Sequence, residues 1–218
     1  MRNKIDFISV FKKEFSASFK LLPIVLGGMI TPLFIYFFFS SMVDDTAMPN
    51  GLMPYSQYMV SGTILFQLVY STFYNASYST FFSSNVTQTM DEMLTSPLSS
   101  KDILLGRTIS TSITTIMVSI PLLAILSYLS KIPFHIGWYL FTSIILFILA
   151  MIFSLLGTIL GLLVNSEFTL INIANMIIIP LTFISDTFIK VSGTQLVDNL
   201  FYLSPIKLGN DIIRDGLV

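Results

Sequence analysis

TMDEMLTSPLSSKDILLGR, residues 89–107, is a charged island between two long uncharged runs: no Asp, Glu, Lys or Arg occurs from Thr46 to Met90 or from Thr108 to Ser130. Three further uncharged runs cover 21–43, 132–166 and 168–185. A helix needs about 20 mostly apolar residues to cross a bilayer. A charged side chain at the bilayer centre costs roughly 2.5–3.5 kcal/mol even on the lenient insertion scale. Five such runs predict an all-α, polytopic bundle of about five transmembrane helices, at about 22–42, 58–82, 104–129, 138–163 and 169–185. On this reading the island is a loop at the membrane surface, and its acidic turn, proline break and basic exit are a surface built for a partner.

The composition agrees. Of 218 residues, 54% are hydrophobic and 11% charged, with mean hydropathy +0.82; soluble domains carry about 25% charged residues. A net charge of −1 gives no basis for nucleic-acid binding. The absence of cysteine excludes disulfides, thiolate metal sites and cysteine nucleophiles, and the single histidine, His135, makes no metal cluster. No cofactor is expected. There is no GxxxxGK[ST] phosphate loop, so the chain does not hydrolyse ATP by itself. No acidic residue or lysine falls within a span, which disfavours ion-coupled transport, and no Ser/His/Asp or paired-carboxylate constellation supports an intramembrane enzyme.

Lysine and arginine set the orientation. With the N-terminus inside, Arg2, Lys4, Lys12, Lys13, Lys20, Lys101 and Arg107 lie on the inner side and Lys131 alone lies outside over the first four spans. Ile8, Phe11, Phe15, Phe19 and Leu22 recur at helical spacing away from the lysines. Residues 1–20 therefore read as an interfacial amphipathic helix or, more plainly, as a basic cytoplasmic leader. Trp138 and Tyr139 read as an interfacial aromatic anchor. Gly157 and Gly161 form a GxxxG pair, better explained by packing within the chain than by a dimer face. The second span is polar for its place. Gln67, Thr72 and Asn75, with Thr63, Ser71, Ser77, Ser79 and Thr80, either bond across helices or line a path for an amphiphilic substrate.

Within the island, Thr87 or Thr89 caps a short helix with Asp91 and Glu92 in its first turn, at the positive end of its dipole. Met90, Met93 and Leu94 give an adaptable apolar face. Pro97 ends the helix by pushing Ser96 out of helical geometry. Ser99 or Ser100 caps the third span, with Asp102 in its first turn. Taken alone, these residues also describe a merely well-capped loop.

Two segments resemble the membrane subunits of ABC-2 type transporters. Thr89 to Ser99 (TMDEMLTSPLS), followed by Ile103 to Arg107 (ILLGR), is similar to the family's cytoplasmic pattern GT-L-E-x-L-L-x-T-P-L-S then L-x-G-K/R. Leu181 to Ser185, then Leu203-Ser204-Pro205 and Ile212-Ile213-Arg214, is similar to its fifth-span exit and final N-P-L…A-L-R element. Gln88 and Asp186 stand where the family commonly has Gly, and Lys190 where it has Pro. The resemblance implies one transmembrane domain over 1–218, with a coupling loop at 86–107 and an outer hairpin region at 186–218. It implies contact with a separate ABC ATPase subunit through Thr89, Asp91, Glu92, Met93, Leu94 and Pro97. It also implies pairing with a second copy or a paralogous permease in a lipid membrane, here a bacterial plasma membrane with the N-terminus cytoplasmic. The expected function is export of a hydrophobic or lipid-linked substrate; the alternative is a non-transporting immunity or anchoring protein. The family fold has six spans, and residues 196–218 are too charged to be the sixth. The sequence therefore leads us to expect a six-helix fold lacking its last helix, or a natural gene that continues with about 20 apolar residues.

Overall fold

The structure, a computed structural model, describes residues 8, 11–13, 15–16, 27–43, 53–90, 95, 99–188 and 204–216. Among them all regular structure is helical: α1 Ile30–Met42, α2 Tyr55–Phe81, α3 Ser100–Leu129, α4 Ile136–Leu163, α5 Glu167–Ile184 and α6 Pro205–Asp215. A single π-helical turn, Phe82–Val86, prolongs α2. At 1.5 Å per residue, α2, α3 and α4 are each roughly 40 Å or more long, enough for a hydrocarbon core of about 30 Å. The chain is a polytopic helical membrane bundle. Its outer faces carry unbroken apolar ridges, such as Leu140, Ile144, Ile148, Ile152, Leu156, Ile159 and Leu163 along α4, all exposed. In water such a ridge is a liability; in lipid it faces its own kind.

Helices α2 to α5 begin and end within a few residues of the spans read from sequence. The first span differs. It is expected from residue 22; residues 22–26 lie outside the described residues, Gly27 is helical, Gly28 and Met29 form a turn, and α1 starts at Ile30. Gly27-Gly28 is a weak point for helix formation, whereas Pro32 sits in α1's first turn, where its missing N–H costs nothing. Of residues 1–20, the described ones are helical, with Phe11 and Phe15 stacked at 5.6 Å and Lys12 and Lys13 exposed. The rest of that expected interfacial helix lies outside the described residues.

The centre of the bundle is α2, which packs on α1, α3, α4, α5 and α6. Small residues allow the close approach. A Cβ added to Gly157 would lie 2.4 Å from the Phe73 carbonyl oxygen, and one on Gly161 would lie 2.3 Å from that of Ser77. The GxxxG pair of α4 is thus spent on α2 of the same chain. Many hydroxyls on the buried faces, though not Thr63, Thr72 or Thr142, turn inward on their own helices: Ser77 donates to Phe73 O at 2.7 Å, Thr80 to Ala76 O at 2.7 Å, Ser112 to Thr108 O at 2.8 Å and Thr115 to Thr111 O at 2.9 Å. This back-bonding satisfies the group without a neighbour.

Residues after Ser185 are expected to form short helices or a partly re-entrant hairpin at the outer surface; residues 189–203 lie outside the described residues, and α6 is a short helix that packs into the bundle. It packs on α2 and α4, and a Cβ on Gly209 would touch Leu149 and Leu65. Leu65 lies about 15 Å along α2 from Tyr55. Trp138, read as an interfacial anchor, lies against α6. It is buried, and its indole N–H donates to the Ile213 carbonyl oxygen at 3.2 Å, clasping α6. Indole nitrogens inside a bundle need such a partner.

Candidate functional site

Three features of α2 carry the site. Along its middle, from Tyr58 to Phe81, every residue is buried except one strip: Phe66, Tyr70, Tyr74 and Tyr78, flanked by Ser71, Asn75 and Ser79, all half-buried. The strip continues onto Phe82 in the π turn. Spacing of four residues puts these rings above one another on a helix, and they stack: Phe66–Tyr70 at 5.9 Å, Tyr70–Tyr74 at 6.3 Å, Tyr74–Tyr78 at 6.0 Å and Tyr78–Phe82 at 6.1 Å. At the Tyr55 end, Phe66 meets Phe188, which also contacts Phe39 of α1 and Phe183 of α5. The Tyr70 hydroxyl donates to Asn175 Oδ1 of α5 at 3.2 Å. A row of phenols, hydroxyls and a carboxamide left uncovered in a membrane helix is costly against lipid alone. Of the three residues read as a possible path, Asn75 lies on this strip, while Gln67 and Thr72 are buried inside the bundle.

The second feature is the Phe81 end. There the ladder shifts register: Thr87 N–H donates to Phe82 O at 3.0 Å, closing the wide π turn, a distortion found often at functional sites. Asn85 Nδ2 donates to Phe81 O at 3.3 Å and to Val164 O at 3.4 Å, tying this end to the connection between α4 and α5. Thr87 and Thr89 hydroxyls bond at 3.0 Å, and Thr89 is helical and half-buried. Asp91, Glu92, Met93, Leu94 and Pro97 lie outside the described residues. Ser99 is the N-cap of α3, its hydroxyl accepting from Lys101 N–H at 3.3 Å, with Asp102 in the first turn. Gln88, between the two threonines, has φ 53°. A side chain in that left-handed region costs roughly 1–2 kcal/mol. Gln88→Gly is accordingly expected to raise stability by about 0.5–1 kcal/mol, part of the relief being offset by greater freedom of the unfolded chain. Thermal unfolding in detergent measures it; a lowered midpoint would mean the Gln88 side chain holds the turn.

The third feature is a buried polar cluster where α5, α6 and the Tyr55 end of α2 meet. Lys207 Nζ pairs with Asp186 Oδ2 at 3.1 Å. Arg214 Nε donates to Ser61 Oγ at 2.8 Å, and its Nη2 donates to the carbonyl oxygens of Asp186 at 2.9 Å and Thr187 at 3.3 Å. The guanidinium carbon lies 3.5 Å from the centre of the Tyr58 ring, a cation–π contact strengthened by desolvation. Asn210 Nδ2 donates to Ser185 O at 3.3 Å. Tyr58 and Tyr55 hydroxyls hold the carbonyls of Asp186 and Phe188 at 2.9 and 3.0 Å. The cluster anchors a short, charged helix inside an apolar bundle, because the Arg214 guanidinium meets oxygens on its edge and an aromatic ring on its face.

Sequence reasoning missed the aromatic strip, Asn85 and this cluster. The first was legible as a four-residue recurrence of Phe and Tyr. The others depend on backbone carbonyls brought together by the fold. Among the described residues, no three His, Asp or Glu side chains gather to hold a metal.

A family model described as ABC-2 type transporter matches residues 5–218. No curated protein and no solved structure matches the chain.

Proposed function

The chain belongs to the ABC-2 type transporter family and is a membrane permease component of an ABC transporter, and from that premise we propose that it exports an amphiphilic or lipid-linked substrate along the α2 strip. The observation that carries the reading is the strip itself: one polar and aromatic file, Phe66 to Phe82 with Ser71, Asn75 and Ser79, on a helix otherwise sealed by its neighbours. Such a file suits a substrate with both apolar and hydrogen-bonding parts: its phenols and the Asn75 carboxamide can meet such a substrate, while Ser71 and Ser79 bond back to their own helix. A second copy or a paralogous permease closes the path from the other side. The N-terminus and the segment 86–107 face the cytoplasm of a bacterial cell, and the Arg214 cluster lies toward the outer surface.

Power comes from a separate ABC ATPase, the kind of partner with which the family generally works. Thr89, Asp91, Glu92, Met93, Leu94 and Pro97 form its contact. The π turn and the Asn85 bond to Val164 stand at the point where a push on 86–107 would enter α2 and α4 together. Asp91→Lys and Glu92→Lys are expected to abolish most ATP-driven export while leaving the bundle folded, since a charge reversal in a helical first turn costs only about 0.3–1 kcal/mol. The measurement is export and ATP hydrolysis in proteoliposomes holding the permease together with its ABC ATPase. Full transport by both variants would sink the coupling assignment.

A further inference from the structure

A cavity of about 530 Å³ opens at the Tyr55 end between the last turn of α1, the first turn of α2 and the end of α3. Its lining is polar for a place beside lipid. Tyr36, only 3% exposed, bonds through its hydroxyl to Ser130 Oγ at 2.5 Å, and Ser130 Oγ in turn donates to the Ser56 carbonyl oxygen at 3.2 Å, so the floor is fixed across three helices. Ser40 and Gln57 add further polar groups, and Phe37, 51% exposed, forms a side that opens toward the lipid face of α1.

Lys131 stands at the rim. It ends α3 in a full Schellman motif: Lys131 N–H bonds to Tyr128 O at 3.2 Å and Ile132 N–H to Ser127 O at 3.0 Å. The residue at its position takes a left-handed backbone, here φ 55°, for which glycine is the usual choice. A lysine there accepts strain that a glycine would avoid, and the chain gains a cation at the mouth of a polar cavity. Lys131 is exposed and in no ion pair among the described residues. It is also the single lysine or arginine of the loops 43–57 and 130–137.

We propose that this cavity binds the phosphate head of an amphiphile. Lys131 pairs with the phosphate, Ser40, Ser56 and Gln57 hydrogen-bond to its polar substituents, and the hydrocarbon chain leaves along Phe37 on α1. The site stands apart from the export path along the helix: Ser56 lies about 15 Å along α2 from Phe66, where the strip begins. Two sources share this chemistry: a bulk anionic phospholipid and a polyprenyl phosphate carrier.

The test uses the full chain in phosphatidylcholine nanodiscs, titrated separately with phosphatidylglycerol and with a polyprenyl monophosphate, with bound lipid counted by native mass spectrometry. One saturable site is expected for at least one probe, and the probe that saturates names the source. Lys131→Gln and Lys131→Gly should weaken it about fivefold, as for loss of one basic contact to an anionic headgroup, and Lys131→Arg should retain it. The glycine variant keeps the fold, because it suits the left-handed position; lost binding with undiminished thermal stability therefore separates a ligand role from a structural one. Asp44→Asn combined with Asp45→Asn removes the negative charges of the neighbouring loop and should leave binding equal or tighter. No saturable binding of either probe, equal affinity of the glycine variant and the parent, or loss of binding in the Asp44/Asp45 variant would each overturn the assignment.

Discussion

Replacing Gly62 with alanine is expected to destabilise the bundle by about 3 kcal/mol or more, at the upper end of overpacking effects. The added methyl would lie 1.8 Å from the Thr187 carbonyl oxygen and 2.8 Å from its carbonyl carbon. A flexible side chain would swing away from such an overlap, but here the obstacle is backbone. That backbone is pinned: Arg214 bonds the carbonyls of Asp186 and Thr187, and Tyr58 bonds that of Asp186. Relief therefore requires α2 to separate from the α5 exit and from the α6 anchor at once. Gly137→Ala is the control, since nothing lies within 4 Å of a Cβ there. It should be neutral or slightly stabilising. Thermal unfolding of both variants in the same detergent measures the contrast; a Gly62→Ala protein that unfolds with the parent would show that the exit of α5 yields more readily than its hydrogen bonds imply.

Asp186→Gly is expected to destabilise by about 2–4 kcal/mol, although it restores the residue that left-handed backbone prefers. Asp186 has φ 53°, so glycine relieves roughly 1 kcal/mol of strain. Against this, the change strips Lys207 of a buried carboxylate at 3.1 Å, and breaking a buried pair from one side costs about 3–5 kcal/mol. Loss of the ion pair outweighs relief of the strain. The sign is thus opposite to that of Gln88→Gly, where the same backbone region carries no such pair. A double variant, Asp186→Gly with Lys207→Met, should recover most of the loss, because removing both charges leaves nothing buried and uncompensated. Equal stability of the single and double variants would show that the pair contributes nothing.

These two positions also show what the sequence could and could not reveal. Gln88 and Asp186 read as departures from a family pattern of glycine, and both prove to lie at positive φ. The backbone has kept the glycine geometry while the side chain has changed. At Asp186 the fold gives a reason, Lys207, which lies 21 positions away in the chain and becomes a neighbour only when α6 enters the bundle. Four of the helices are legible because a run of uncharged residues has to end where charge returns. The start of α1 is not, since Gly27-Gly28 interrupts the helix inside an uncharged run. Gln67 and Thr72 have the residue type that suits a path, yet both are buried inside the bundle, and of the three only Asn75 shares the open strip with the tyrosines. The charges of α6 give it the look of surface because its partners are carbonyl oxygens of residues 185–187, which no local pattern announces.

The inward turn of the α2 hydroxyls has a consequence for how the protein is made. Among the described residues three helices, α3, α4 and α5, are long and apolar enough to cross a membrane on length and composition; α2, the helix every other one leans on, owes its place to them. Yet it leaves the ribosome first. Roughly 80 residues, or about 4–16 s of synthesis, separate its end from the end of α4. During that interval Ser61, Ser71, Ser77, Ser79 and Thr80 already have their own backbone as partner, whereas Thr63 and Thr72 do not, so the newborn helix presents lipid with fewer open hydrogen-bonding groups than its composition implies. Self-satisfaction within one helix lets the least greasy span wait in the membrane for its neighbours.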